Sequence, residues 1–306
     1  MAMLRLFCGA LLLCLAQGAW AADAQLVARQ SAGVGDTPQR IVSLDELSTE
    51  LLVSLGIEPV GVANLASYRR YIGIGNDLLE RSVPLGSAQQ PNLEAIARLK
   101  PDLIVGVAYL HLPLFERLDG LAPTLIYQVS LAHDGYDGVA IGEAMLDHLG
   151  RLTGRQEQAQ AVIREGQQAL AAARHLIDAK GLQGEPVAVL YPLVQQGSFI
   201  ALNQQTLIGS LMARLGVRSP WTLHSAHTLH RRIDMRRFAS EPGLRVLFIG
   251  GQGQAPFFSS PLWKALPVAQ QQRYAFLPTP YWTFGGPRST AAIATQVREA
   301  IEAMNR

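Results

Sequence analysis

Three histidines in one short segment are the residues whose spacing most resembles a metal site. His224, His227 and His230 follow one another at intervals of three, and Asp234 places a carboxylate nearby. On a helix, this spacing would bring neighbouring imidazoles within reach of one metal ion. Pro220, however, stands just before the segment and favours an irregular course. We therefore expect a polar loop beside a cleft rather than a directly bound metal.

The sequence has no motif that would anchor enzyme chemistry. It contains no G-x-S-x-G nucleophile turn, no H-E-x-x-H pair and no phosphate-binding P-loop. The run GGQGQA from Gly250 departs from the dinucleotide-binding pattern G-x-G-x-x-G, and Pro256 stands where the helix of that motif should be running. Enzyme chemistry therefore has no anchor in these motifs, and we expect no catalytic residues and no resident cofactor.

The N-terminal segment has the three regions of a secretory signal peptide. Arg5 supplies a positive charge, a short apolar run follows, and an A-x-A cleavage site ends at Ala21. The apolar run is shorter than the roughly 20 residues that a membrane span needs. Cys14 follows Leu13, whereas lipid attachment requires a small residue before the cysteine. We therefore expect export, removal of residues 1–21 and no lipid anchor.

The charge balance of the chain argues against a nucleic acid as its partner. The 26 basic and 24 acidic side chains nearly balance, so there is no basic excess to neutralise the phosphates of a nucleic acid. Both cysteines, Cys8 and Cys14, lie in the predicted signal peptide. The exported chain would then have no disulfide and would depend on its own hydrophobic core. We expect a monomer that binds no nucleic acid.

Short β-branched runs alternate with helical patterns along the chain, which is typical of βαβ units and parallel sheets. The predicted strands lie in the runs that begin at Arg40, Pro59, Ser82, Asp102, Thr124, Val187, Ser198, Val246 and Tyr274. Between residues 155 and 179, a single run rich in Ala, Gln, Glu and Arg predicts one helix about 37 Å long. On either side of it, Thr49–Gly61 and Gly209–Trp221 repeat the same order of amphipathic helix, Leu-Gly and turn.

The predicted fold class is α/β, with two Rossmann-like lobes of mainly parallel sheets, joined by one long rigid α-helix and separated by a ligand cleft. The predicted boundaries are residues 1–21 for the signal peptide, 22–153 for the N-terminal lobe, 154–180 for the connecting helix and 181–306 for the C-terminal lobe. Because ligands of open parallel sheets bind at the carboxyl ends of the strands, the residues directly after each strand are the binding candidates. These are Asp45 and Glu46, Asn64–Tyr71, Ser87–Gln90, Ala108–His111, Tyr191–Gln196, Gln252–Gln254 and Tyr281–Gly285.

Several blocks of the sequence are similar to those of one class of exported carriers. They are RIVSLDELSTELLVSLGIEPVGVA from Arg40, PNLEAIARLKPDLIV from Pro91, PLWKALP from Pro261, RYAFLP from Arg273 and YWTFGG from Tyr281. Their order resembles the helical-backbone class of ABC-transporter substrate-binding proteins, and within it the periplasmic ferric-hydroxamate-binding proteins of Gram-negative bacteria. The resemblance implies a carrier that binds a ferri-siderophore, with its iron already chelated, and delivers it to the permease of an inner-membrane ABC importer.

The resemblance also implies a set of ligand-binding side chains. Tyr71, Trp282 and Phe284 fall on positions that line the ligand pocket in this family, and Tyr109 falls near another. Trp221 matches a tryptophan beside the cleft. Aromatic faces suit the flat, apolar backbone of a siderophore, and a tyrosine hydroxyl can reach a hydroxamate oxygen.

One position departs from the ferric-hydroxamate pattern. That family carries an arginine, in contact with the iron-binding oxygens, two residues after a glycine that is Gly86 here, whereas this chain has Ala88. The candidates for a substitute polar contact are Arg69, Arg70, His111 and His224. Siderophore transport is therefore expected, while specificity for a trihydroxamate stays open.

Two acids are candidates for docking to the permease. Glu94 matches a glutamate that family members present to permease arginines, and Asp234 occupies the equivalent place in the second lobe. One acid on each lobe would orient a two-lobed carrier on a dimeric permease. The alternative is that each acid only stabilises the start of its own helix through the helix dipole.

Two other functions stay open at this point. A carrier of the same fold could bind cobalamin, or could bind haem through His111 or His224. The third hypothesis is an exported enzyme that acts on the siderophore, for example in iron release. Such an enzyme would destroy the visible absorption of the ferric complex, whereas a carrier would leave it intact.

Overall fold

The computed structural model describes residues 26–35, 37–129, 136–193, 197–221, 230–250, 256–278 and 283–304, so the predicted signal peptide lies outside it. The strands are β1 Val27–Gln30, β2 Ile41–Ser43, β3 Gly61–Val62, β4 Val83–Pro84, β5 Gly86–Ser87, β6 Gln90–Pro91, β7 Leu103–Val107, β8 Thr124–Tyr127, β9 Val187–Pro192, β10 Ser198–Leu202, β11 His230–Asp234, β12 Arg245–Ile249 and β13 Tyr274–Leu277. The α-helices are α1 Glu46–Ser54, α2 Leu65–Tyr71, α3 Leu93–Leu99, α4 Ala108–His111, α5 Phe115–Asp119, α6 Gly138–Leu152, α7 Gln156–Ala179, α8 Leu207–Arg214, α9 Pro256–Ser259, α10 Pro261–Lys264, α11 Pro267–Gln270 and α12 Pro287–Ala303. Short 3-10 turns occupy Asn76–Leu79, Leu112–Leu114 and Met235–Ser240.

The first sheet defines the N-terminal lobe and has the strand order β1-β8-β7-β2-β3-β4. Strands β8, β7, β2, β3 and β4 are parallel, and β1 runs antiparallel to β8. Strand β7 is buried along its whole length, as expected for a parallel strand with helices on both faces. The runs predicted from Arg40, Asp102 and Thr124 therefore form the centre of this sheet.

The second sheet defines the C-terminal lobe and has the order β11-β10-β9-β12-β13. Strands β9, β12 and β13 are parallel, whereas β10 is antiparallel to both β9 and β11. The connection between β9 and β10 covers only residues 193–197. So short a link can close an antiparallel pair but cannot hold the crossover that a parallel pair needs. This sheet is therefore mixed, in contrast to the mainly parallel first sheet.

Helix α7 runs from one hydrophobic core into the other. Near its start, Ala159 and Val162 are buried in the core of the N-terminal lobe. Near its end, Ala173 and Ile177 are buried in the core of the C-terminal lobe. The predicted long helix is thus present with nearly the expected bounds, and the two lobes share it as a structural element.

Helix α7 is not the only link between the lobes, because α12 packs along it. The two helices come closest at Gly166, where an added Cβ atom would lie 2.9 Å from the carbonyl oxygen of Pro287. Helix α6 also reaches both cores, since its first turn places Val139 in the second core and its later turns lie in the first. The predicted domain boundaries therefore stay predictions.

Across the described ranges, no helix combines the length and the apolar character that crossing a membrane would require.

Candidate functional site

A hollow opens between the two lobes at the carboxyl ends of β2 and β7. Its volume is about 210 Å³. It is lined by Asp45, Glu46, Leu47, Val107, Tyr109, Thr283 and Phe284. Residues 45–47 follow β2 and residues 107–109 end β7, while residues 283 and 284 follow the last strand of the second sheet. Most of the lining residues are therefore among the strand-end candidates, as the geometry of an open parallel sheet requires.

An aromatic pair bridges the hollow. The rings of Tyr109 and Phe284 have their centroids 5.4 Å apart and their planes at 37°. Phe284 packs against the core of the N-terminal lobe, whereas Tyr109 is 55% exposed. Such a pair gives a ligand an apolar face with a hydroxyl at its edge.

A second hollow of about 450 Å³ lies at the carboxyl ends of β3 and β4. It is lined by Asn64, Leu65, Ala66, Ser67, Arg69, Pro84, Gly86 and Ser87. Strand β3 is the neighbour of β2 in the sheet, so the two hollows lie side by side along one edge. They meet where Asn64 Nδ2 donates a hydrogen bond of 2.8 Å to Glu46 Oε1. The second hollow alone lies within the range of roughly 300–1,000 Å³ that is usual for small-molecule sites.

Two adjacent carboxyl groups stand at the start of α1 on this edge. Asp45 caps the helix by accepting hydrogen bonds from Ser48 N at 2.9 Å and from Ser48 Oγ at 2.7 Å. Burial raises the pKa of Asp45 to about 6, against the opposing effect of the bonds from Ser48. Burial also raises the pKa of Glu46, and the negative charge of Asp45 adds to that rise. With a pKa of about 6, Asp45 stays mostly ionised above pH 7, which leaves negative charge on this edge.

A chain of buried hydrogen bonds connects Glu46 to the end of β7. Beyond the Glu46–Asn64 bond, Asn64 Oδ1 accepts from Ala88 N at 3.0 Å. The carbonyl oxygen of Ala88 is 2.9 Å from His111 Nε2, and His111 Nδ1 accepts from Val107 N at 3.0 Å. Because Nδ1 accepts a hydrogen bond, the proton of the neutral ring is on Nε2, which donates a hydrogen bond to the carbonyl oxygen of Ala88. Burial lowers the pKa of His111 to about 4, so this neutral form persists near neutral pH.

A second buried carboxyl group ties α12 to the N-terminal lobe. Glu50 Oε2 accepts from Gly286 N at 3.0 Å and from Ser289 Oγ at 2.6 Å, and Glu50 Oε1 accepts from Ser289 N at 2.8 Å. Glu50 is fully buried on α1, and its partners form the first turn of α12. Burial raises the pKa of Glu50, and the bonds from Ser289 and Gly286 oppose that rise. The segment that carries Thr283 and Phe284 is thus anchored just after it reaches the hollow.

A match to a known protein family covers both sheets and the part of this site that precedes residue 282. The family model described as periplasmic binding protein matches residues 41–281, from the start of β2 to beyond β13. The chain belongs to the periplasmic binding protein family. The interpretation as a substrate-binding protein rather than an enzyme is confirmed by this membership.

Two relatives and one solved structure illustrate the family. The iron(3+)-hydroxamate-binding protein FhuD of Escherichia coli is 24% identical over 267 residues, which are 86% of this chain and 87% of the relative. The Fe(3+) dicitrate-binding periplasmic protein FecB of the same organism is 26% identical over 250 residues, or 80% of this chain and 79% of the relative. The Fe3+–Desferal-bound siderophore binding protein FhuD from Vibrio cholerae aligns with a TM-score of 0.76 and 22% identity, covering 87% of this chain and 98% of that one. This likeness confirms the predicted two-lobed fold.

Two of the residues predicted to contact the ligand, His111 and Trp221, are buried, and their packing corrects that prediction. Both ring nitrogens of His111 are occupied by backbone groups, and its side chain has no exposed surface. Trp221 is 5% exposed and stacks on Phe238 in the core of the C-terminal lobe, with centroids 5.3 Å apart. Neither side chain can touch a ligand without breaking the packing around it.

Three other predicted residues lie on α2, beside the second hollow. Arg69 lines that hollow, and its guanidinium donates a hydrogen bond of 2.8 Å to the carbonyl oxygen of Leu79. The guanidinium of Arg70 lies 5.2 Å from the centroid of the Tyr71 ring, in the geometry of a cation–π contact. The lining of the two hollows does not include Tyr71 or Arg70. Their role in ligand binding stays a prediction.

Two further predicted residues, Trp282 and His224, lie outside the described residues, as does His227. His230 is an exposed residue at the start of β11. Within the described ranges, no cluster of three or more histidine, cysteine, aspartate or glutamate side chains could hold a metal ion.

The two docking candidates are acids with solvent-exposed side chains, one on each lobe. Glu94 lies in the first turn of α3, which begins next to the carboxyl end of β4, and its nearest basic partner is Arg98 at 3.8 Å. Asp234 ends β11 and forms an ion pair with Arg236 at 2.9 Å. Asp234 caps a 3-10 turn, whereas the sequence suggested the first turn of an α-helix.

The sequence reasoning missed Leu47 and Val107, which line the hollow, and Glu50, which anchors α12. The first two flank strand ends and could have been found by widening the strand-end windows by one residue. Glu50 offers no such signal, because its partners lie 236 and 239 residues away in the sequence.

Proposed function

We propose that this chain binds a ferri-siderophore in the cleft between its lobes and delivers it to the permease of an inner-membrane ABC importer. The observation that carries the proposal is the hollow that both lobes build, with the Tyr109–Phe284 pair across it. An apolar cleft with a few polar groups, set between two rigid lobes, is a usual binding site for a small molecule. The ligands named for the relatives, an iron(3+) hydroxamate and Fe(3+) dicitrate, support a ferric complex as cargo.

We also propose where the protein works and in what form its cargo arrives. Residues 1–21 act as a signal peptide, and the mature chain works as a monomer in the periplasm without a lipid anchor. Iron arrives already chelated, so the protein needs no cofactor of its own. Haem ligation through His111 is disfavoured, because that histidine would have to give up both of its backbone hydrogen bonds.

Fluorescence titration tests the binding step. The purified mature chain is titrated with ferric and iron-free siderophores, using tryptophan emission as the signal, since Trp282 adjoins Thr283 in the sequence. Saturable quenching by at least one ferric complex is expected. The absence of saturable quenching by hydroxamate, carboxylate and catecholate complexes alike would contradict the proposal.

A second measurement separates a carrier from an enzyme that processes the siderophore. The ferric complex is incubated with the protein, and its visible absorption is followed. A carrier leaves the absorption band in place, because the iron stays chelated. Progressive loss of the band at catalytic amounts of protein would favour the enzyme instead.

We also propose that Glu94 and Asp234 dock the loaded carrier onto the permease. The side chains of both are solvent-exposed and lie on different lobes, so together they could set the orientation of the carrier. The variant Glu94→Ala with Asp234→Ala is expected to bind cargo normally and to fail in uptake by reconstituted importer vesicles. The matched control, Glu157→Ala with Glu302→Ala, removes the same charge from exposed sites elsewhere on the chain. Equal uptake by both double variants would refute the docking role.

A further inference from the structure

The charges on the cleft edge are unbalanced. Asp45 and Glu46 both line the hollow, and within the described part of the chain neither forms an ion pair. Two arginines on α2, beside the second hollow, have other contacts: Arg69 donates to the carbonyl oxygen of Leu79, and Arg70 lies over the Tyr71 ring. A ligand that enters the hollow therefore meets two carboxylates that no described cation offsets.

Position 88 adds no positive charge to this edge. Ala88 has no exposed surface, and both its amide and its carbonyl groups are engaged, with Asn64 and with His111. A long cationic side chain at this position would have to leave a packed environment to reach a ligand. The site thus contains no counterpart to an anion-binding arginine there.

The carboxylate of Glu46 is held in a fixed position. Its Oε1 atom accepts from Asn64, and Asn64 is held in turn by the buried chain through Ala88 and His111 to Val107. Asn64 has a left-handed backbone conformation with φ of 53°, which asparagine tolerates better than most residues do. A charge fixed in this way acts on a ligand without first having to be ordered.

We infer that Glu46, supported by Asp45, makes this cleft select ferri-siderophores of neutral or positive net charge over anionic ones. The inference rests on the proposed function and specifies the class of cargo for the same site. Three hydroxamate groups neutralise one Fe3+ ion, so a ferric trihydroxamate is neutral, and a protonated amine on it makes the complex cationic. Ferric complexes of citrate or of three catecholates are anionic and would be repelled by the edge.

A ligand series with one iron centre and three net charges tests the inference. The probes are the ferric complexes of a linear trihydroxamate with a terminal primary amine, of its N-acetyl derivative and of its N-succinyl derivative, with net charges of +1, 0 and −1. Dissociation constants are measured by fluorescence titration at pH 7.5 in low salt. We expect the cationic complex to bind about tenfold more tightly than the anionic one, which corresponds to about 1.4 kcal/mol. This ratio should fall when 0.5 M NaCl is added, since salt screens exposed charges.

Two variants assign the preference to Glu46. Glu46→Gln removes the charge and keeps an oxygen that can accept from Asn64, and it is expected to bring the cation-to-anion ratio close to one. Glu157→Gln removes the same charge from an exposed site at the start of α7 and should leave the ratio as in the natural chain. Thermal melting of all three proteins checks that each is folded.

The outcomes are distinguishable. Equal or tighter binding of the anionic complex by the natural chain, or an unchanged ratio in Glu46→Gln, overturns the charge selection while the proposed function stands. Failure of all three complexes and of other ferric siderophores to bind overturns the proposed function itself.

Discussion

The contact between Glu50 and the start of α12 gives the sharpest prediction about stability. Glu50→Gln keeps the shape of the side chain and replaces one carboxylate oxygen with an amide nitrogen. If the remaining oxygen faces Gly286 N and Ser289 Oγ, the amide nitrogen faces Ser289 N, and two donors then point at each other. One buried donor is left without an acceptor, whichever way the amide is turned.

The size of the effect follows from these contacts. A lost hydrogen bond to a charged group costs about 1.5–3 kcal/mol. The loss of the negative charge at the helix N-terminus is offset, because it also relieves the desolvation that raises the pKa of Glu50. We therefore expect Glu50→Gln to lower the free energy of unfolding by about 1.5–3 kcal/mol, the cost of the lost hydrogen bond. Ser289→Ala, which loses only the hydroxyl donor, should lower it by about 1 kcal/mol.

The assay is urea unfolding at pH 8, followed by far-ultraviolet circular dichroism. Glu157→Gln, an exposed change of the same chemistry, serves as the control and should stay within about 0.5 kcal/mol of the natural chain. The double variant of Glu50→Gln with Ser289→Ala should be less destabilised than the sum of the two single variants, because both change hydrogen bonds of the same buried side-chain pair. A stability for Glu50→Gln equal to that of the control would refute the reasoning.

Three further predictions concern the site and the lobes. Tyr109→Ala should weaken binding of the ferric complex by about 1–3 kcal/mol in fluorescence titration, because it removes half of the aromatic pair; an unchanged dissociation constant would exclude the ring from the site. Asp45 has its pKa raised by burial from 3.8 to about 6, so the folded state binds more protons than the unfolded state between these pH values, and stability should fall as the pH rises through that window. The part of the fall due to Asp45 amounts to about 3 kcal/mol, so the stability of Asp45→Asn should fall by that much less over the same window, whereas parallel curves for the two proteins would count against it. X-ray scattering should show only a slight change in radius of gyration on saturation with cargo, because two helices stiffen the junction of the lobes; a large contraction would contradict this.

The centre of the fold could be predicted from the sequence because its signals are local. Strand β7 is a continuous apolar run, and α7 is a continuous run of good helix formers, so each pattern specifies one structure. Strands β1 and β11 were not predicted. Strand β11 has the sequence HRRID, in which only Ile233 is buried, and an edge strand of this composition looks like a polar loop.

Site residues could be predicted only where the geometry of a parallel sheet determines their position. The carboxyl ends of parallel strands meet at one edge, so the rule selects Asp45, Glu46 and Tyr109 without a structure. The burial of His111 depends instead on Ala88, which is 23 residues away in the sequence. The stacking of Trp221 on Phe238 is likewise a tertiary contact with no local pattern. Residue type alone therefore suggested ligand contacts that packing does not allow.

The shared helix α7 has a consequence for how a transporter could tell a full carrier from an empty one. Its first turns belong to one core and its last turns to the other, so neither lobe can rotate far without disturbing both interiors. The empty and the loaded forms of such a carrier have nearly the same shape. The importer would then have to read the cargo itself, or the loops that border it, and the empty carrier would compete for the same docking site. Transport should therefore slow when empty carrier is in excess, because the empty carrier occupies the permease without delivering cargo.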